Sequence, residues 1–205
     1  MKKGFFIVID GIDGSGKSEI VKMLHNYLFS KNKNFKILTT REPTNGKFGI
    51  KIREMLRKEK NPKSSSKELM DFFIKDRKEH LKTTIEPFLD ASNGGMNIVI
   101  CDRYYYSTIA FQSAQGLYMK EIMEKNKGFR KPNIAFILDV EPSIALKRIE
   151  NREKEKFEQL EFMKKIRANF LKMPNLLKDN IKIIDSSKPL DKVFECVIKE
   201  IENIV

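Results

Sequence analysis

A three-layer, doubly wound α/β sandwich with a five-stranded parallel sheet is the fold this sequence predicts. Two observations carry that prediction. Short apolar runs rich in Ile, Val, Phe and Leu alternate with stretches of helical period. That is the pattern of parallel strands covered on both faces. A glycine loop, Gly11-Ile12-Asp13-Gly14-Ser15-Gly16-Lys17-Ser18, also stands between the first apolar run and the first helical one. Right-handed crossovers then put helices on both sides of the sheet and ligands outside the carboxyl ends of the strands.

The first strand is Phe5-Phe6-Ile7-Val8-Ile9, and the helix after the loop places Ile20, Val21, Leu24 and Leu28 on one face. Further strands are expected at Lys36–Thr40, Asn97–Cys101, Ile134–Leu138 and Ile181–Ile184. One long helical stretch, Ser66–Ala91, carries Leu69, Phe73, Leu81, Ile85 and Phe88–Leu89 at helical spacing. Asn93-Gly94-Gly95 marks the turn that follows. The last helix, Leu190–Ile204, gathers Val193, Phe194, Val197, Ile198 and Ile201 after Pro189, a residue suited to a helix start. No repeat or linker divides the chain, so one domain over residues 1–205 is expected.

The chain has 205 residues, 40% of them hydrophobic, enough to bury a full core. No segment approaches the length of a membrane-spanning helix. Met1-Lys2-Lys3 leads directly into the first strand and the glycine loop, so a signal peptide here would consume the site. A cytoplasmic protein is expected. Cys101 and Cys196 have neither metal nor redox spacing and read as buried small hydrophobes. A net charge of +12 attracts polyanions. Lysine is spread along the whole chain, however, with no arginine-rich tail, which is the pattern of a solvated surface.

Chemistry enters at residues 11–18, which fit G-x-x-x-x-G-K-S in its proper context of strand, loop and helix. Glycines let backbone N–H groups turn inward around an anion with no Cβ in the way. The helix that begins there adds its positive end. Lys17 can reach the β- and γ-phosphates of a nucleoside triphosphate, and the Ser18 hydroxyl can ligate Mg²⁺. A chance match in a glycine-rich turn is the plain alternative, and the correct flanks argue against it. Two more polar clusters close strands: Thr40-Arg41-Glu42-Pro43 and Asp102-Arg103-Tyr104. Phe73 and Arg77, four residues apart, share a helix face.

Taken together these segments resemble thymidylate kinases, P-loop kinases of nucleoside monophosphates that phosphorylate dTMP. Asp10 and the glycine loop match the start of that family's pattern. TREP at 40–43, with Gly49, Ile52-Arg53 and Met55-Leu56 after it, matches the second segment. LMDFFIKDR at 69–77 matches the base-binding helix, and DRYYYSTIAFQ at 102–112 the D-R-Y-x-x-S-x-x-A-Y-Q signature. LDVEPSIALKR at 138–148 and REKEKFEQLEFMKKIR at 152–167 match the fourth strand, the lid and the helix behind it.

The resemblance implies transfer of a phosphoryl group from ATP to dTMP with Mg²⁺. Lys17, Mg²⁺ and arginines from several loops would cancel the charge. Asp102 would hold Mg²⁺ through water, as a Walker B carboxylate does; the other reading is a helix N-cap. Arg103 and Arg41 would hold the acceptor's 5′-phosphate, since guanidinium forks suit phosphate oxygens. Phe73 would stack on thymine and Arg77 donate to its O4, although a phenylalanine at helical spacing is often core. Thr108 and Gln112 occupy the family's polar positions at the base and sugar. Phe111 stands where the family has a Tyr beside the sugar. Asp10 or Asp13 would meet the 3′-hydroxyl. Some relatives carry an arginine inside the glycine loop, where this chain has Gly14; the others use a lid arginine. Arg152 is the matching candidate and Arg148 its competitor, in a lid at about 148–160 that closes over ATP. A solvated charged helix is the plain reading of that segment. The resemblance also implies a homodimer, with the 66–91 helix and the helix after Asp102-Arg103-Tyr104 at the interface.

Three alternatives remain. A kinase of another nucleoside monophosphate fits the glycine loop but not the Phe73, Arg77 and 102–112 set. A regulatory GTPase needs N-K-x-D, a tetrapeptide that does not occur. A nucleic-acid-binding ATPase fits the charge, and predicts turnover stimulated by DNA or RNA.

Overall fold

A computed structural model describes residues 4–58, 65–91, 94–149, 156–202 and 204. Its strands are β1 (Phe5–Gly11), β2 (Phe35–Arg41), β3 (Met96–Asp102), β4 (Ile134–Asp139) and β5 (Ile181–Asp185). They form one parallel sheet in the order β2-β3-β1-β4-β5. The later strands run one residue beyond the apolar pattern at their carboxyl ends, because ladder bonds use the backbone and accept polar residues there. Those added residues are Arg41, Asp102, Asp139 and Asp185.

Between the strands lie α1 (Lys17–Lys31), α2 (Lys47–Lys58), α3 (Ser66–His80), α4 (Glu86–Asp90), α5 (Tyr105–Ala114), α6 (Met119–Asn126), α7 (Pro142–Arg148), α8 (Lys156–Leu176) and α9 (Leu190–Glu202). Alternation along β1 divides the core in two. Phe5, Ile7 and Ile9 pack with Ile20, Leu24 and Leu28 of α1 and with Val193, Val197 and Ile201 of α9. Phe6 and Val8 face the opposite way, toward Met70 of α3, Tyr106 and Ile109 of α5, and Phe170 of α8. Each such side chain, fully buried, contributes about 1.5–3 kcal/mol.

Two expectations change. The stretch expected as one helix over Ser66–Ala91 is α3 and α4 joined by a π-helical turn, Leu81–Ile85. Pro87 sits just past that turn. A proline lacks the N–H and presses its ring on the carbonyl four residues back, and the wider turn relieves this. Cys101 is buried as expected, but Cys196 is exposed. The buried stripe of α9 is Val193, Val197 and Ile201, and position 196 turns off it. Of the turn at Asn93-Gly94-Gly95, Asn93 lies outside the described residues.

From β1 the chain travels to the β2 edge, returns to β3, and then crosses to β4 on the far side of β1. The winding reverses beside β1, which opens a crevice at the carboxyl ends of β1 and β3. Ile9 is in register with Asp102 there, Gly11 with Leu138, and Arg41 with Asp102.

Candidate active site

The glycine loop sits in that crevice. Gly14 has φ +77°, and a Cβ there would lie 2.4 Å from the Ala145 carbonyl oxygen. No arginine side chain fits at this position, whatever relatives carry in their loop. Ser15 Oγ is buried without a partner among the described residues. Lys17 folds over the loop and donates to the Ile12 carbonyl at 2.8 Å. Burial, with Arg103 nearby, pushes its amine down to about 8. A phosphate that replaced the Ile12 carbonyl would add its negative charge to that of Asp13, 4.0 Å from this ammonium.

Ser18 Oγ donates to Asp102 Oδ2 at 3.0 Å, while Asp102 Oδ1 is buried without a partner among the described residues. Helix α5 starts at Tyr105, with Tyr104 at its N-cap, so Asp102 does not cap it. A hydroxyl beside a half-satisfied carboxylate suits a hard cation whose other ligands are phosphate oxygens and water. Among the described residues no three His, Cys, Asp or Glu side chains cluster as a protein-only metal site would require.

Asp10 is fully buried, and the protein itself uses both of its oxygens. Oδ1 accepts from the Gly11 amide at 2.8 Å and from Ser107 Oγ at 2.7 Å. Oδ2 accepts from the amides of Tyr104 at 3.1 Å and Ser107 at 3.0 Å. These bonds hold the turn in which Arg103 adopts φ +70°, a conformation that costs a non-glycine residue on the order of 1 kcal/mol. Asp10 is therefore a brace for the turn and does not face the crevice. Burial raises its carboxyl, and Arg103 offsets part of that. Asp13 is the acid that faces the crevice: it is exposed and accepts from Arg103 Nη2. Burial works to raise its carboxyl, but Arg103 and Lys17 outweigh it and hold it below the usual carboxylate range.

Next to Arg103 opens a cavity of about 280 Å³. It collects Phe73 and Arg77 from α3, Thr108, Phe111 and Gln112 from α5, and Arg103 and Asp13 from the loops. Phe73 is half-buried and belongs to neither core cluster, so it lines a site and does not fill the interior. Phe111 stands edge-on to Phe170, and the Arg103 guanidinium lies 5.4 Å from its ring centre. Arg77 is completely buried. Its Nη2 donates to Glu42 at 2.7 Å and Thr108 at 3.0 Å, and its Nη1 to Asn126 at 2.6 Å. Among the described residues its Nε–H has no partner. Gln112 donates through Nε2 to Gln115 at 3.3 Å, and its Oε1 has none among them either. Two residues that line this cavity beside an aromatic face thus each carry one spare buried group, a donor on Arg77 and an acceptor on Gln112.

Two expected residues lie elsewhere. Arg41 is exposed and lines a neighbouring groove with Thr44 and His80, not the cavity that holds Arg103. Its backbone is level with Asp102. Arg148 donates to the carbonyls of Ser186 at 3.0 Å and Gly14 at 3.4 Å. It lines a cavity of about 440 Å³ with Ser15, Gly16, Lys188 and Pro189, on the other side of the loop. Arg152 lies outside the described residues.

Glu42, Asn126 and the Ser186–Pro189 loop escaped the sequence reading as site residues. The loop follows the last apolar strand, and its place at a carboxyl end was a usable signal. Asn126 carried none, since nothing local distinguishes it from any polar residue at a helix end.

A family model described as thymidylate kinase matches residues 9–197. A probable thymidylate kinase of Archaeoglobus fulgidus is 37% identical over 201 residues, covering 97% of this chain and 95% of the relative. A thymidylate kinase of Leptospira borgpetersenii is 39% identical over 201 residues, covering 96% and 93%. The crystal structure of thymidylate kinase from Ehrlichia chaffeensis superposes with a TM-score of 0.74 at 29% identity, covering 98% of this chain and 99% of that one.

Proposed function

Because the chain belongs to the thymidylate kinase family, we propose that it transfers the γ-phosphate of ATP to dTMP, giving ADP and dTDP. It is a nucleoside monophosphate kinase, a phosphotransferase. The observation that carries the choice of acceptor is the pair of unpartnered groups on two residues that line the Phe73 cavity, Arg77 Nε–H and Gln112 Oε1. Thymine offers a carbonyl acceptor, O4, next to an N3–H donor, which answers that pair. Cytosine offers an amino donor next to a ring acceptor, the reverse pattern. Phe73 supplies the stacking face, and Thr108 and Phe111 line the sugar side. Arg103 takes the acceptor's 5′-phosphate after exchanging it for Asp13, which is then free to meet the 3′-hydroxyl.

On the donor side Gly11 through Ser18 wrap the ATP phosphates, with Lys17 at the transferring group. Ser18 and Asp102 would hold Mg²⁺. Bound there, that ion neutralises charge on the phosphate oxygens and fixes their geometry. The cavity beside Arg148 lies where the adenine of a nucleotide wrapped by this loop would emerge. The reading includes a single kinase domain over 1–205, with a lid at about 148–160 that brings Arg152 to the transferring phosphoryl group and excludes water. It also includes a homodimer and a cytoplasmic location. Both cysteines are free, as a reducing compartment keeps them, and no described helix is long and apolar enough to cross a membrane.

The test is ADP release with ATP and Mg²⁺ across a panel of deoxy- and ribonucleoside monophosphates. A marked preference for dTMP is expected. Equal turnover of dTMP, dCMP, dGMP and AMP would overturn the reading, and ATP hydrolysis stimulated by DNA or RNA would favour the nucleic-acid alternative.

A further inference from the structure

We infer that Asn126, the last residue of α6, is a positioning residue that fixes the hydrogen-bonding polarity of the acceptor cavity, and so the choice between a 4-oxo and a 4-amino pyrimidine. The inference rests on the reading of Arg77 as the group that meets the base. Arginine carries five N–H donors and no acceptor. Here the terminal nitrogens are tied down: Nη2 by Glu42 and Thr108, Nη1 by Asn126 Oδ1. The Tyr104 and Phe129 rings flank the guanidinium at 5.1 and 5.6 Å, so it has no solvent to turn toward. Held this way, a residue that lines the cavity keeps its Nε–H without a partner among the described residues, and in this reading that is the donor it offers to the base.

The orientation of Asn126 is itself settled. Its Nδ2 donates to the Ile122 carbonyl at 2.7 Å, a main-chain group that can only accept. Oδ1 is therefore the end presented to Arg77, and Asn126 is only 3% exposed. Loss of Asn126 would free Nη1 inside a dry wall. The guanidinium, still hinged on Glu42, would then turn to satisfy it, and Nε–H would lose its fixed aim. A donor without a fixed direction no longer squarely opposes a 4-amino group, which weakens the donor-against-donor conflict that rejects cytosine.

The experiment compares kcat/KM for dTMP, dUMP and dCMP, with the KM for ATP and the melting temperature, in wild type, Asn126→Leu, Asn126→Ser and Asn126→Asp. Asn126→Leu and Asn126→Ser should raise the KM for dTMP about tenfold, as loss of a bond to a charged group does. The dTMP-to-dCMP ratio should fall by a similar factor. The dTMP-to-dUMP ratio and the KM for ATP should hold, because both of those pyrimidines carry O4. Asn126→Asp keeps an acceptor facing Arg77 and should restore the dTMP-to-dCMP ratio. An unchanged ratio in either folded removal variant overturns the inference. So does an equal loss on dTMP, dUMP and dCMP, or a loss that Asn126→Asp shares. Wild type that fails to prefer dTMP would instead overturn the underlying reading, so the two failures are distinguishable.

Discussion

The phosphate cradle and the acceptor cavity lie side by side and are made differently. The cradle is eight consecutive residues, Gly11 to Ser18. The cavity takes Phe73 and Arg77 from α3, Thr108, Phe111 and Gln112 from α5, and the support of Glu42 and Asn126 from behind. In the cradle, a side chain such as Lys17 can be lost with little damage to the fold. In the cavity, the proposed recognition and the stability of the fold share a residue. Arg77 lines it while its Nη2 closes a buried ion pair with Glu42, whose side chain is 2% exposed.

That contrast can be broken most directly at Arg77. Arg77→Ala leaves Glu42 buried without its partner, which costs about 3–5 kcal/mol of folding stability. Denaturant unfolding should show the loss even with no nucleotide present. A variant as stable as wild type would mean that the pair is dispensable and that the two roles of Arg77 are separable after all.

Lys17→Ala is the opposite case. Turnover should fall by about 10²–10³-fold, as when one preorganised donor to a transition state is removed. Unfolding and dTMP binding should change little, because the amine is costly to bury and its one close bond is to the Ile12 carbonyl. Near wild-type kcat in the folded variant would show that the cradle does not carry the transferring group.

Phe73→Ala sharpens the comparison from within the cavity. Loss of the stacking face should weaken dTMP binding by about 1–3 kcal/mol, read by calorimetric titration, with ATP affinity held. Stability should move far less than in Arg77→Ala, since Phe73 lies outside both core clusters. If Phe73→Ala unfolds as readily as Arg77→Ala, the phenylalanine is structural.

The cradle was readable in the chain because consecutive residues at fixed spacing, between an apolar run and a helical one, leave few conformations open. Phe73, Arg77, Thr108 and Gln112 were readable only through resemblance, because their neighbourhood is created by folding. Asp10 and Asp13 could not be told apart by type or position; burial separated them, making one a brace and leaving the other at the crevice. The groove that Arg41 lines was hidden for a related reason. The sequence neighbours of Arg41 put its backbone at the right strand end, but which way a side chain leaves that end depends on the pleat. The π-helical turn was hidden because apolar spacing reports which face is buried, not how each turn closes.

By itself, then, the amino-acid order determined the parallel sheet and the phosphate loop, since both follow from local periodicity and contiguous motifs, and it carried the reaction class through its resemblance to a family. The tertiary structure alone decided the polarity of the acceptor cavity. Arg77, Glu42, Thr108 and Asn126 are far apart in the chain, and which of their donors and acceptors remain unpaired is settled only when the fold buries them against one another.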